Sequence, residues 1–254
     1  MRIITANVNG IRATAKKGFF QWLEKQNAFV VCLQETKAQM AILTDELYRP
    51  AGYHCYFSDA IKKGYSGVAL YAKQKPDRVI HTLGFDCADQ EGRFVQADFG
   101  HLSVISLYLP SGSSGAERQA EKFKFMEKFL PILRAFIQSK RDFIIGGDWN
   151  IVHKEIDIKN FKSNQKTSGC LPEERQWLDA LLTKENYVDA FRLINQNADE
   201  YSWWSQRSNA RAHNVGWRID YQIISESLKN RVKNAFIYRD ENFSDHAPVV
   251  VDYQ

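Results

Sequence analysis

Short apolar runs rich in β-branched residues recur along this chain, at Ile3 to Ala6, Phe29 to Leu33, Val68 to Ala72, Phe94 to Phe99, Val104 to Leu107, Phe143 to Ile145, Ile219 to Ile224 and Val249 to Val251. Runs of this length bounded by polar and glycine residues predict strands. Between some of them, helices are expected over Phe19 to Lys25, Ala41 to Tyr48, Ala116 to Ile137 and Glu173 to Leu182. The third has apolar residues at 123, 126, 129, 130, 133 and 136, and the fourth follows Pro172, a favoured helix-starting residue. The alternation predicts an α/β fold. The runs 94 to 99 and 103 to 107, split by Gly100 and His101, predict an antiparallel hairpin, so mixed sheets fit better than a purely parallel doubly wound one. With no repeat, low-complexity tract or linker, residues 1–254 are expected to form one domain near the upper size of a single core.

Composition narrows the function classes. A net charge of +4, from 34 Lys and Arg against 30 Asp and Glu, is compatible with a polyanionic partner but is weak evidence alone. No apolar stretch approaches the ~18 residues that span a bilayer, and Met1 to Asn9 lacks the basic start and apolar segment of a signal peptide. The expectation is a cytoplasmic protein with no membrane partner. Cys32, Cys55, Cys87 and Cys170 are scattered singly, which argues against a zinc site or disulfide framework and for reduced structural thiols.

Catalysis is therefore sought where the strands end. Polar clusters follow or precede the apolar runs: Asn7-Val8-Asn9-Gly10, Gln34-Glu35-Thr36, Tyr108-Leu109-Pro110-Ser111, Gly146-Gly147-Asp148-Trp149-Asn150, Arg218-Ile219-Asp220-Tyr221 and Ser244-Asp245-His246-Ala247-Pro248. Each alone is explained by a turn, a helix cap or ordinary core packing. Together they would crowd acceptors on one edge of the fold, a costly charge density unless a cation or reacting group sits there. Glu, Asp and Asn oxygens without thiolate suit Mg2+, with Mn2+ able to substitute, and a phosphoryl substrate is the natural partner. In-line attack on a phosphodiester needs an activated water, neutralised non-bridging oxygens and a stabilised leaving oxygen. Aromatics interleaved with Arg207, Arg211 and His213, from Tyr201-Ser202-Trp203-Trp204 to Trp217-Arg218-Ile219, favour a nucleic acid as that substrate.

The ordered segments ANVNGIR, QETK, EGRFVQADF, LYLPSG, GGDWN, EIDIKN, LPEERQWLD, NVGWRIDY and FSDHAPVV span nearly the whole chain, and with them the sequence resembles the exonuclease III and AP endonuclease family of the endonuclease/exonuclease/phosphatase superfamily. The resemblance implies a four-layered α/β sandwich, two packed mixed β-sheets flanked by helices as in DNase I. It implies Glu35 as the principal magnesium ligand assisted by Asn7, Asp148 positioning or deprotonating the attacking water, and Asn150 orienting it. His246 would contact the scissile phosphate, Asp220 would orient that histidine, Asp245 would be a metal-side or water-linked acid, and Tyr108 a phosphate-binding phenol. Counted as candidate metal ligands, for one ion or two, are Asn7, Glu35, Asp148, Asn150, Asp245 and His246. Trp203, Trp217 and Ile219 would line a pocket for a flipped-out abasic sugar. Asn164 matches a residue near the target phosphate, and Lys62, Lys63, Tyr65 and Arg93 are backbone-contact candidates. Asn9 stands where relatives carry Asp or Asn, and is read equally as a turn residue and a DNA contact.

The expected activity is Mg2+-dependent DNA-backbone hydrolysis 5′ to abasic sites, removal of 3′-terminal nucleotides and 3′-blocking groups, or both. Double-stranded DNA with abasic sites or 3′ ends is the partner, and a monomer is the family default. The alternatives are a superfamily phosphatase acting on phosphoinositide or sphingolipid, and a catalytically silent nucleic-acid-binding protein.

Overall fold

The computed structural model describes residues 1–254. In chain order the strands are β1 (Arg2–Asn7), β2 (Val30–Gln34), β3 (His54–Ser58), β4 (Val68–Ala72), β5 (Arg78–Ile80), β6 (Phe94–Phe99), β7 (Leu102–Tyr108), β8 (Asp142–Asp148), β9 (Tyr187–Asp189), β10 (Trp203–Trp204), β11 (Gly216–Trp217), β12 (Asp220–Ser225), β13 (Val232–Ile237) and β14 (Val249–Tyr253). The helices are α1 (Ile11–Lys16), α2 (Phe19–Lys25), α3 (Met40–Leu43), α4 (Asp86–Asp89), α5 (Ala116–Gln138), α6 (Phe161–Asn164), α7 (Pro172–Lys184) and α8 (Ala190–Ile194). The helix expected over Ala41 to Tyr48 is broken instead into α3 and a 3-10 turn at Glu46–Tyr48, because the Asp45 side chain caps Leu47 N–H and starts a new turn there.

Two six-stranded mixed sheets form, ordered β13-β14-β1-β2-β4-β3 and β5-β6-β7-β8-β12-β9. Each contains one parallel pair, β1 with β2 and β7 with β8, and every other pairing is antiparallel. The 94–99 and 102–108 strands make the expected hairpin. One apolar layer lies between the sheets and includes Ile3, Cys32, Leu70, Val104, Ile144 and Val251. A second lies outside the first sheet under α1 and α2, and a third outside the other sheet under α5 and α7. This is the four-layered sandwich.

The layer between the sheets is not purely apolar. Gln34 Nε2 donates to Ser106 Oγ at 3.0 Å, Ser106 Oγ donates to Leu33 O at 2.9 Å, and Gln222 Nε2 donates to Ile3 O at 2.9 Å. Such satisfied buried bonds set the register of one sheet on the other. At Gly146 a Cβ would stand 3.3 Å from Thr5 Cβ and 3.5 Å from Cys32 Sγ, so glycine there allows the close approach of the sheets.

That register has a consequence for chemistry. β1 packs across from β8 and β2 across from β7, so the two parallel pairs face one another. Their carboxyl ends therefore emerge side by side, bringing Asn7, Glu35, Tyr108 and Asp148 to one end of the sandwich. β12 runs antiparallel to β8 and places Asp220 directly opposite Asp148. β14 runs antiparallel to β1, so the residues just before it, Asp245 and His246, come to the same end.

Candidate active site

At that end Glu35, Asp148 and His246 each present one ligand-type atom, all within 4.8 Å of one another. Asn7, buried at the end of β1, donates Nδ2 to Glu35 Oε1 and to Asp148 Oδ2, both at 2.8 Å. Asp148 Oδ1 accepts the Asn150 backbone N–H at 2.9 Å, and Asn150 Nδ2 donates to Leu109 O at 2.9 Å. Asn9 Nδ2 donates to Asp245 Oδ1 at 2.8 Å, and Lys37 Nζ bonds Asn9 Oδ1 and pairs with Glu35 Oε2 at 2.7 Å. Asn9, Glu35, Lys37 and Asn150 all take positive φ, between 43° and 54°. Four non-glycine residues in that region within one cluster store strain of about 1 kcal/mol or more each, held by surrounding bonds such as Gly10 N–H to Glu35 O at 2.7 Å.

His246 is held from behind. Its Nδ1 lies 2.8 Å from Asp220 Oδ2, an oxygen that also accepts Ser202 Oγ at 2.6 Å, while Asp220 Oδ1 is buried with no partner. Ser202 Oγ in turn accepts the backbone N–H groups of Ile219 and Asp220. His246 Nε2 faces Asp148 Oδ2 at 3.9 Å. Burial by itself would lower the imidazole pKa, but Asp220, helped by Asp148 and Asp245, raises it to about 10. Burial, with Asp220 opposite, pushes the Asp148 carboxyl up to about 8. Burial works in the same direction on Glu35, yet Lys37 and Asn7 outweigh it and keep that carboxyl low. Burial and the nearby Glu35 carboxylate raise the Tyr108 phenol well above its ordinary value, so it remains a hydroxyl donor.

The cluster opens into a cavity of about 620 Å³ whose walls include Tyr108, Arg118, Thr167, Ser168, Gly169, Trp203, Trp217 and Ile219. Trp203 and Trp217 pair across the short β10–β11 ribbon with ring centroids 5.8 Å apart, edge to face. Trp203 Nε1 donates to Asp245 Oδ2 at 3.3 Å, tying this aromatic wall to the acidic cluster.

Asn7, Asn9, Glu35, Tyr108, Asp148, Asn150, Asp220, Asp245 and His246 thus converge, with Trp203, Trp217 and Ile219 on the same cavity. Arg93, expected as a backbone contact, borders the same cavity but is held from behind. Its side chain is 1% exposed, stacked on the Tyr108 ring at 4.5 Å, paired with Glu91 at 2.7 Å and bonded to Tyr108 O and Tyr65 Oη. Three of its five N–H groups are engaged in these bonds, so it braces the two tyrosines. Tyr65 and Lys62 line the cavity as well, whereas Asn164 lies outside it on α6, its Nδ2 bonded to Asn160 O at 2.9 Å. Trp204, 2% exposed, is core. Three participants carried too little signal in the sequence to be singled out: Lys37, although it ends QETK, Ser202 behind Asp220, and Arg118, which pairs with Glu91 and bonds Tyr65 Oη.

A two-sheet α/β sandwich whose strand ends gather carboxylates, carboxamides and a carboxylate-backed histidine in one cleft defines a phosphoester hydrolase class. Residues 4–246 match the Endonuclease/Exonuclease/phosphatase family. The chain is 40% identical to an exodeoxyribonuclease of Bacillus subtilis over 98% of both chains, and 35% identical to the DNA repair nuclease APEX1 of Danio rerio over 99% of this chain and 81% of that one. Among solved structures, an AP endonuclease from Archaeoglobus fulgidus superposes with a TM-score of 0.91 at 25% identity, covering 100% of this chain and 99% of the other. The chain belongs to the endonuclease/exonuclease/phosphatase family, and within it is a hydrolytic nuclease.

Replacing the Asp220 carboxylate by a neutral amide should remove the charge that backs His246 without emptying the cleft. Asp220→Asn is expected to slow cleavage at least about 100-fold, the lower end of what a correctly charged and positioned imidazole contributes. Steady-state rates on a labelled duplex measure this, and an unchanged rate would remove the pair from the reaction.

Proposed function

We propose that this protein is a DNA-repair phosphodiesterase that incises duplex DNA 5′ to abasic sites and clears 3′ termini in the presence of Mg2+. The observation that carries the reading is the His246–Asp220 pair set opposite Asp148, with Glu35 and Asn7 beside it and an apolar tryptophan wall on the same cavity. The donors fit a hard divalent cation: the Glu35 and Asp148 carboxylates lie together, with no thiolate at the site. Glu35 would hold the ion, with Asn7, Asp148, Asn150 or Asp245 completing its surroundings. The ion, when bound, supplies charge neutralisation to the phosphate oxygens and the leaving group.

This chain's own groups do the rest. Asp148 accepts a proton from the attacking water, a task for which its buried carboxylate is held in place by Asn7 and Asn150. Asn150, fixed to Asp148 by its N–H and to Leu109 by its side chain, keeps the water's position. His246, charged by its contact with Asp220, suits a bond to a phosphate oxygen better than metal ligation, which requires a neutral ring. The Tyr108 hydroxyl donates to another phosphate oxygen. Trp203, Trp217 and Ile219 would give a baseless sugar an apolar wall to rest on.

We read residues 1–254 as one catalytic domain acting as a cytoplasmic monomer; the four free cysteines suit a reducing compartment, and no helix is long and apolar enough to cross a membrane. The test is a labelled duplex with one abasic-site analogue beside an undamaged recessed-3′ duplex, each with Mg2+ or EDTA. Nicking at the lesion that EDTA abolishes is expected. Cleavage confined to 3′ ends would shift the assignment to an exonuclease, and no cleavage of either would reject it.

A further inference from the structure

The buried stripe of α5 runs Lys122, Phe125, Met126, Phe129 and Leu133, so a lysine occupies a core position in an otherwise apolar row. Its ammonium meets Glu174 of α7 at 2.6 Å, with both side chains 0% exposed. A buried ion pair is poorly explained by stability, since apolar residues of similar volume usually serve the fold as well or better. What this pair does that apolar residues cannot is bond several backbone groups at once.

Lys122 Nζ donates to Asn150 O at 2.7 Å. Glu174 Oε2 accepts the N–H groups of Gly169 at 2.6 Å and Leu171 at 3.0 Å, and Oε1 accepts Gln119 Nε2 at 3.0 Å. One arm thus ends on Asn150, whose N–H holds Asp148, and the other on the 167–171 loop that walls the cavity. The contact is tight. A Cβ on Gly169 would stand 3.0 Å from Asn150 O and 3.1 Å from Trp217 Cζ3, and Gly169 O accepts Val152 N–H at 2.7 Å. A shift of the loop therefore reaches Trp217 and Asn150 directly.

We propose that the Lys122–Glu174 pair is a positioning device with two separable outputs: Lys122 sets Asn150 for the chemical step, and Glu174 sets the Gly169–Trp217 wall that distinguishes a baseless sugar from an intact nucleotide. The proposal rests on the nuclease reading above, and neither residue touches substrate.

The two arms predict opposite splits. Lys122→Met should lower kcat on the abasic duplex roughly 10- to 100-fold, the scale of a misplaced reacting group, with KM little changed. Glu174→Gln, which keeps one acceptor oxygen but cannot serve every donor, should erode the ratio of affinities for abasic-analogue over intact duplex by about tenfold, with a smaller effect on kcat. That ratio is read by fluorescence anisotropy in EDTA, without turnover, so it stands apart from failure of wild-type cleavage, which would count against the nuclease reading instead. If a single variant does not fold, Lys122→Gln with Glu174→Gln leaves no lone buried charge and should lower both readouts in a folded protein. Unchanged kcat and affinity ratio, or losses that merely follow the folded fraction measured by thermal melting, would overturn the proposal.

Discussion

Asp148→Asn is expected to fold and to bind lesion-bearing duplex in EDTA, yet to cleave it about a hundred- to ten-thousandfold more slowly, the range for loss of a positioned proton acceptor. Asp148 is 1% exposed, with one oxygen on Asn150 N–H and the other on Asn7 Nδ2. An asparagine has a single acceptor oxygen. Turned to keep the Asn150 bond, it sets its own amide against Asn7 Nδ2, two donors face to face; turned to keep Asn7, it faces Asn150 N–H with another donor. The substitution therefore removes the proton acceptor and also disturbs the group that links Asp148 to Glu35. Single-turnover rates beside affinities in EDTA separate chemistry from binding. A variant cleaving within tenfold of wild type would exclude Asp148 from the reacting groups.

The second large effect lies under the cleft and acts on stability. Asp157, 1% exposed, accepts Arg218 Nε at 2.7 Å and Arg192 Nη2 at 2.6 Å, while Arg218 Nη2 also reaches Asp189 at 2.7 Å. Two carboxylates thus balance two guanidiniums, and Arg218 is fully buried between Trp217 and Ile219 of the cavity wall. Asp157→Ala leaves a buried positive charge in excess, at a cost of about 3–5 kcal/mol. For a chain of this length that lowers Tm by roughly 6–20 °C. Replacing Asp157 and Arg218 together by apolar residues of similar volume should cost less than Asp157→Ala alone, which distinguishes an unpaired charge from lost packing.

The same network dictates an acid response. Burial would raise the Asp157 carboxyl, but Arg218 and then Arg192 hold it down at about 2. With its folded value below the unfolded value of about 3.9, this carboxylate binds fewer protons folded than unfolded. Its contribution to stability is complete above the unfolded value and disappears as pH falls toward 2. Urea unfolding midpoints of wild type and Asp157→Ala should therefore converge between about pH 4 and pH 2. A constant gap down to pH 2 would show that the carboxylate's charge is not what stabilises the wild type.

Legibility in the sequence followed burial. The interior strands β1, β2, β4, β6, β7, β8, β12 and β14 were readable as apolar runs because both their faces are covered. Of the six that were not, β3, β5, β9 and β13 are the edges of the two six-stranded sheets, and β10 and β11 are two residues each. Edge strands carry exposed polar positions, as in His54–Ser58 and Val232–Ile237, and that blurs the periodicity. The short helices α1, α4, α6 and α8, of four to six residues, are too brief for a helical period to show.

Sequence alone determined the class of fold, the strand-end clusters that supply acidic and imidazole groups, and the donor chemistry that favours a hard cation. These are local: a run of β-branched residues and the polar residues that end it are neighbours in the chain. Tertiary structure decided which cluster faces which. Asp220 backs His246 because β12 lies antiparallel to β8 with Asp220 opposite Asp148, and Lys122 serves Asn150 because α5 packs against α7. It also decided that Arg93 braces Tyr65 and Tyr108 rather than reaching into solvent. A charged side chain in the sequence is the same letter whether it is solvated or buried, and the difference comes from what the rest of the chain packs around it.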